Sequence, residues 1–197
     1  MIHAPALIHH PSRLTWPPLL FGLTPTTPSF AREARYKLDH RAWIPAPPEQ
    51  VYDEFSTCTH GGEWVDQFVR IDMLTPEAPP AQRIYDESFT FMTVRVRTLE
   101  AERGRCWFAS LDRCTLPIAR QVLQEATFEP AKGGTSFRWR VYYTPSWVVR
   151  PFLGRMQRLF DQLFLQSTEQ LAAFFRDRQR GAGGRKGGPF QEAPPAP

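Results

Sequence analysis

Hydrophobic and polar positions alternate along residues 36–44. Tyr36, Leu38, His40, Ala42 and Ile44 share one face, and Lys37, Asp39, Arg41 and Trp43 the other, which is the period of a half-buried strand. The strand runs into Pro45-Ala46-Pro47-Pro48, and the last two prolines suit a helix start, where a missing N–H costs nothing. Val51, Tyr52 and Phe55 then fall on one helical face, and residues 59–66 read as a second short helical turn loosened by Gly61 and Gly62. After this the period returns to two. Strands over 68–74 and 83–89 flank "TPEAPPAQ", a loop that three prolines keep out of a sheet. Arg103-Gly104 marks a hairpin between "MTVRVRTL" and "CWFASL". "CTLPIARQ" separates "CWFASL" from "QVLQEATF", and "PAKGGTS" turns that strand into "SFRWRVYY". There Phe137, Trp139, Val141 and Tyr143 alternate with Ser136, Arg138, Arg140 and Tyr142, the strongest alternation in the chain.

From Val149 the spacing becomes three and four. Phe152, Leu153, Met156, Leu159, Phe160, Leu163, Phe164, Leu171, Phe174 and Phe175 mark the apolar side of one long helix, and Gly181 offers its stop. The order is one strand, two short helices, about six further antiparallel strands and a long C-terminal helix. The economical packing is an α+β fold in which the helix closes the apolar face of a curved antiparallel sheet of about seven strands.

Composition narrows this picture little until its location is considered. The chain of 197 residues holds one full core, and 42% apolar with 22% charged residues is ordinary for a globular domain. Ten of the twenty prolines lie in residues 1–30 and 189–197, so both ends read as disordered: 1–34 as an extension, 35–178 as the folded domain and 179–197 as a Gly/Pro-rich basic tail. The net charge of +4 is carried whole by residues 176–188, which hold five basic side chains and one Asp. The balanced body therefore argues against nucleic acid as a partner. The tail offers at most weak contact with an anionic membrane. Cys58, Cys106 and Cys114 form no even framework and no CxxC pair, and read as reduced thiols in a cytoplasmic protein. No apolar run approaches the ~18 residues of a spanning helix.

The strand, "IPAPPEQVYDEF", the meander, "GGTSFRW" and the aromatic-rich terminal helix together resemble the START-like, helix-grip superfamily (SRPBCC proteins). Within it the likeness is greatest to the bacterial polyketide cyclase/dehydrase and lipid-transport family. The resemblance covers about residues 35–178 and implies a deep cavity between sheet and long helix, one end closed by the two short helices.

Candidate chemistry is sparse. No GxSxG, Walker loop, GxGxxG or HExxH occurs, and Cys58-Thr59-His60 has no second pair to complete a metal site, so neither metal nor cofactor is expected. His40 shares the face of Leu38 and Ala42 and is a candidate general base. Tyr85 and Glu87 share a strand face with Arg83 and are a candidate acid/base pair, although the opposite parity, Ile84, Asp86 and Ser88, competes for the inward side. Leu38, Trp139, Tyr143, Phe152, Met156, Phe160 and Phe164 are the expected ligand-binding set, in keeping with pockets that are mostly apolar with few polar anchors. The reading is a protein that binds a small hydrophobic molecule: a lipid, a quinone or a polyketide-like aromatic. The alternatives are a cyclase or dehydratase that moves protons through His40, Tyr85 or Glu87, and a partner-binding module whose cavity is filled by its own aromatics.

Overall fold

A computed structural model describes residues 18–183 of the chain. Its first elements are the two-residue strand β1 (Phe21–Gly22) and a single turn, α1 (Phe30–Glu33). The body then follows as β2 (Tyr36–Ile44), α2 (Pro48–Thr57), α3 (Gly61–Trp64), β3 (Phe68–Met73), β4 (Ile84–Phe89), β5 (Thr93–Glu102), β6 (Cys106–Cys114), β7 (Ala119–Ala131), β8 (Gly134–Pro145) and α4 (Leu153–Gly183). Neighbours β3 to β8 pair in sequence, and β2 closes the order by lying against β8. The result is the expected antiparallel sheet, two short helices and long terminal helix, with β1 added against β6.

The proline corner after β2 is held from two directions. Gly134, the first residue of β8, lies so close to it that an added Cβ would stand 2.2 Å from the Ile44 carbonyl oxygen, so no larger residue fits. Next to it, Thr135 Oγ1 donates to the Ala46 carbonyl at 2.6 Å. From the far end of α4, Gln179 Nε2 donates to the Pro45 carbonyl. The turn therefore sends α2 across the sheet end. Phe55 of α2 lands among aromatic rings, with centroids 5.4 Å from Trp107, 5.8 Å from Phe128, 5.3 Å from Phe137 and 5.1 Å from Trp139.

The long helix begins differently from its expected start at Val149. Residues Trp147–Phe152 form a 3₁₀ segment containing Pro151, and α4 proper starts at Leu153. Pro151 has no N–H to donate into an α-helical ladder, which favours the tighter lead-in. The helix also passes Gly181 and ends at Gly183, so the boundary at 178–179 falls inside it. Its two halves are packed unequally. Thr168, Leu171, Ala172, Phe174 and Phe175 are buried in the core, whereas no residue from Leu153 to Gln166 is.

A larger correction concerns the N-terminal extension. Residues 1–17 and 184–197 lie outside the described residues, but residues 18–34 run along the sheet and bury Leu23 in the main core and Thr26 and Phe30 against the strands. The Leu23 N–H donates to the Asp112 carbonyl at 2.9 Å, and Thr24 N–H to that of Arg120 at 2.8 Å. Thr26 donates through its N–H to Ser110 Oγ at 3.0 Å and through its hydroxyl to the Val122 carbonyl at 3.2 Å. Phe30 completes a small apolar cluster with Leu123 and Tyr142. The physical cause is visible on the sheet: Leu123 and Tyr142 are large side chains on the face away from α4, and burying them needs a cover.

Candidate functional site

Between the sheet, the α2–α3 corner and α4 lies a cavity of about 160 Å³. Six of the seven residues expected to bind a ligand line it: Leu38, Trp139, Tyr143, Met156, Phe160 and Phe164. The seventh does not. Phe152 is 62% exposed at the end of the 3₁₀ segment, pointing away from the cavity because that turn places it out of phase with Met156 and Phe160. Trp139 carries the wall on the β8 side, its ring 4.5 Å from Phe164 of α4, while its Nε1 donates to Gln124 Oε1 at 3.1 Å.

The lining is apolar except for a few groups, and the most informative sit on β4. Tyr85 and Glu87 both face the cavity. The competing parity loses because Asp86 has a partner on the outside. Arg95, its neighbour across β5, grips both carboxylate oxygens at 2.8 and 3.0 Å. Ser88, on the same outer side, receives the Thr93 hydroxyl at 3.2 Å. Once Asp86 is paired outward, alternation turns Tyr85 and Glu87 inward. Arg83 does not line the cavity; its Nε turns to the Ala78 carbonyl at 3.4 Å.

Burial pushes the Glu87 carboxyl up to about 7 from an ordinary 4.5. Loss of water is the cause, since an ionised carboxylate has lost its solvation there. The Cys58 thiol, which terminates α2 in a left-handed conformation (φ 46°), stands 4.0 Å from Glu87 Oε1. Burial first, and then the Glu87 carboxylate, hold the Cys58 thiol and the Tyr85 phenol well above their usual ranges. Three weak acids thus share one region of an aromatic cavity, and at neutral pH Cys58 and Tyr85 are protonated while Glu87 exchanges its proton readily. Chemically this group can donate hydrogen bonds to a carbonyl or accept one from a hydroxyl, and Glu87 can move a proton.

His40 is not among these groups. It is buried, 8% exposed, but faces α4 rather than the cavity, with Nε2 3.2 Å from Asp161 Oδ1. That is ion-pair distance without hydrogen-bond geometry. The expected proton-transfer trio is therefore divided: Tyr85 and Glu87 stand together, and His40 belongs to the helix contact. Nearby, the Tyr143 phenol is buried without a hydrogen-bond partner among the described residues, its ring stacked 5.6 Å from Tyr36. Burial raises its pKa. His60, the other imidazole of interest, is structural: its Nδ1 lies 2.7 Å from Glu54 Oε2, and Trp64 Nε1 donates to Glu54 Oε1 at 2.8 Å.

Sequence reasoning missed Phe55, Cys58, Trp64 and Trp107, which close the α2–α3 end, and Gln124. The signal for Phe55 was present in its helical face shared with Val51 and Tyr52. In the sequence Cys58 stands out only beside His60 as a possible metal ligand, and nothing there marks it as part of a cavity wall. Polar ties lie beside the cavity wall: Gln166 Nε2 and Gln170 Nε2 of α4 both donate to Asp66, the second at 3.1 Å. Thr90 binds Gln67 twice, N–H to carbonyl at 2.9 Å and hydroxyl to Oε1 at 2.8 Å. Among the described residues no helix is long and apolar enough to cross a membrane.

The family model described as polyketide cyclase / dehydrase and lipid transport matches residues 35–174. No curated protein matches the chain. Among solved structures, the ZhuI aromatase/cyclase from Streptomyces sp. R1128 aligns with a TM-score of 0.63 at 12% identity, covering 75% of this chain and 98% of that one. The di-domain ARO/CYC StfQ from the steffimycin biosynthetic pathway gives 0.62 at 15% identity, covering 76% of this chain and 53% of that one. This chain thus spans about half the length of StfQ. Ara h 8.0201 gives 0.56 at 12% identity, covering 72% of this chain and 98% of that one. At such identities the likeness is one of fold.

Proposed function

We propose, from the premise that the chain belongs to the polyketide cyclase / dehydrase and lipid transport family, that it holds one small aromatic or polyketide-like molecule in the cavity between sheet and α4. The observation that carries this reading is the composition of the wall: aromatic and aliphatic side chains throughout, with Tyr85, Glu87 and Cys58 gathered in one place. Apolar burial, at roughly 25 cal/mol per Å², supplies affinity. The protonated Tyr85 and the exchangeable Glu87 supply orientation, by hydrogen bonds to carbonyl or hydroxyl groups of the ligand. Three free thiols suit a reducing cytoplasm.

Titration with the fluorescent probe 1-anilinonaphthalene-8-sulfonate tests the cavity. One probe binds per chain; Trp139→Ala weakens it roughly tenfold through loss of ring contact, and Phe152→Ala leaves it unchanged. Binding that ignores Trp139, or that depends on Phe152, excludes the reading.

A second reading is favoured by the placing of Glu87 in the cavity wall beside Tyr85 and Cys58, where burial raises its carboxyl to about 7. A group of that strength inside an apolar cavity suits proton transfer in a cyclase or dehydratase, the cavity folding the chain and Glu87 taking and returning the proton. Native mass spectrometry of protein purified from its own host separates the two. A bound molecule recovered unchanged supports binding, and turnover lost roughly a hundredfold in Glu87→Gln supports catalysis.

A further inference from the structure

The approach to α4 is dressed for a surface other than water. Residues 147–159, "WVVRPFLGRMQRL", contain three arginines and no carboxylate. Four large apolar side chains stand out of this short stretch: Trp147 at 76% exposure, Phe152 at 62%, Leu159 at 53% and Val148 at 41%. Arg150, Arg155 and Arg158 are exposed among them, and none makes an ion pair with another described residue. Arg155 and Leu159 are four residues apart on α4, so cationic and apolar groups share one face of its first turns.

We infer that residues 147–159 dock the protein on an anionic lipid bilayer. Trp and Phe partition into the headgroup boundary, and the interleaved guanidinium groups meet lipid phosphates. Charge decides the class of partner. An acid-free segment with three unpaired cations selects a polyanionic surface, while protruding Trp, Phe and Leu select one with an apolar interior. A nucleic acid supplies the first and not the second, and a protein groove without acidic residues supplies the second and not the first.

The segment is firmly mounted. Ser146, just before it, donates its N–H to the Ile118 carbonyl at 3.2 Å and its hydroxyl to that of Pro117. Ile118 lines the cavity, as do Met156 and Phe160 on the other side of the same helical turns. Docking through the outer stripe therefore brings one end of the cavity to the bilayer. If the cavity holds an apolar molecule, which rests on the reading above, that molecule is loaded from or delivered to lipid.

The test uses the full chain and sedimentation with large unilamellar vesicles, either of phosphatidylcholine alone or of three parts phosphatidylcholine to one of phosphatidylglycerol. Binding is expected to the anionic vesicles, weakened by high salt, and feeble to the neutral ones. The double variant Trp147→Ser, Phe152→Ser and the triple variant Arg150→Gln, Arg155→Gln, Arg158→Gln each lose roughly tenfold or more. These positions are exposed, so unchanged circular dichroism and melting confirm that the variants fold. Neutralising the basic side chains of residues 176–186 controls for the tail, and most of the binding survives it. The double variant also keeps its affinity for the naphthalene probe, so failure of docking and failure of the cavity are read separately. Vesicle binding that persists in the double variant, or disappears on neutralising the tail, overturns the inference. So does self-association that the double variant abolishes in a protein that ignores vesicles.

Discussion

Replacing Glu87 by Gln removes a titrating group while keeping its size. The carboxyl is raised by burial to about 7 from 4.5, a gap equivalent to about 3 kcal/mol between its two protonation states. The sign follows from which state holds the proton more tightly. In the folded protein it is bound more strongly than in the unfolded chain, so stability from this group is fully present below about pH 4.5. It declines as pH rises towards 7 and is gone above it, where both states are ionised. Glu87→Gln is insensitive to this window. Urea unfolding near pH 8 should find the variant more stable by up to about 3 kcal/mol, and near pH 5 the two should agree within about 1 kcal/mol. Solvent reaching the carboxylate through the mouth lowers the larger figure, and the slope against urea stays the same. The sharp signature is the difference between the two pH profiles. Parallel profiles, or a variant less stable at both pH values, would show that Glu87 is ionised and paired in the fold, and the reasoning about its environment would fail.

Gly134→Ala forces a Cβ to within 2.2 Å of the Ile44 carbonyl, and should cost roughly 3 kcal/mol of stability by thermal or urea unfolding; a loss well under 1 kcal/mol would mean that β2 and β8 can part there cheaply. His40→Gln should leave affinity for the naphthalene probe within about twofold and shift stability by about 1 kcal/mol or less, since its contact is to a half-exposed Asp161. A tenfold loss of probe affinity at normal stability would return His40 to the cavity.

Elements whose side chains repeat with a clear period were legible from sequence. The alternation through β8 and the three- and four-residue spacing of α4 each name a buried face without help from distant residues. β4 was harder, because its two faces are nearly equal in polarity. Its direction is decided by Arg95, a partner on β5 that reaches Asp86 from outside, and no property of residues 84–89 alone contains that fact. Residues 18–34 escaped for the opposite reason. They have no period, being spread over the sheet by single backbone bonds and by Phe30, and the cue lay in Leu123 and Tyr142, two large residues on a face expected to be solvated. Phe152 was misplaced because helical phase was extended backwards through Pro151, where the winding changes. The two candidate acids were found, but their company was not: Cys58 reaches Glu87 only because α2 ends in a left-handed residue.

The uneven packing of α4 has a consequence for how the protein breathes. Residues 168–175 are anchored by Leu171, Ala172, Phe174 and Phe175, so the amides of that stretch should exchange with solvent only on large-scale opening. Residues 153–166 border the cavity and have no such anchors; Gln166, at the end of that stretch, and Gln170 hold the helix to Asp66. That half should therefore be the less stable part of the helix, its amides exchanging faster than those of residues 168–175. One continuous helix thus carries two grades of protection, set by which of its turns reach the core.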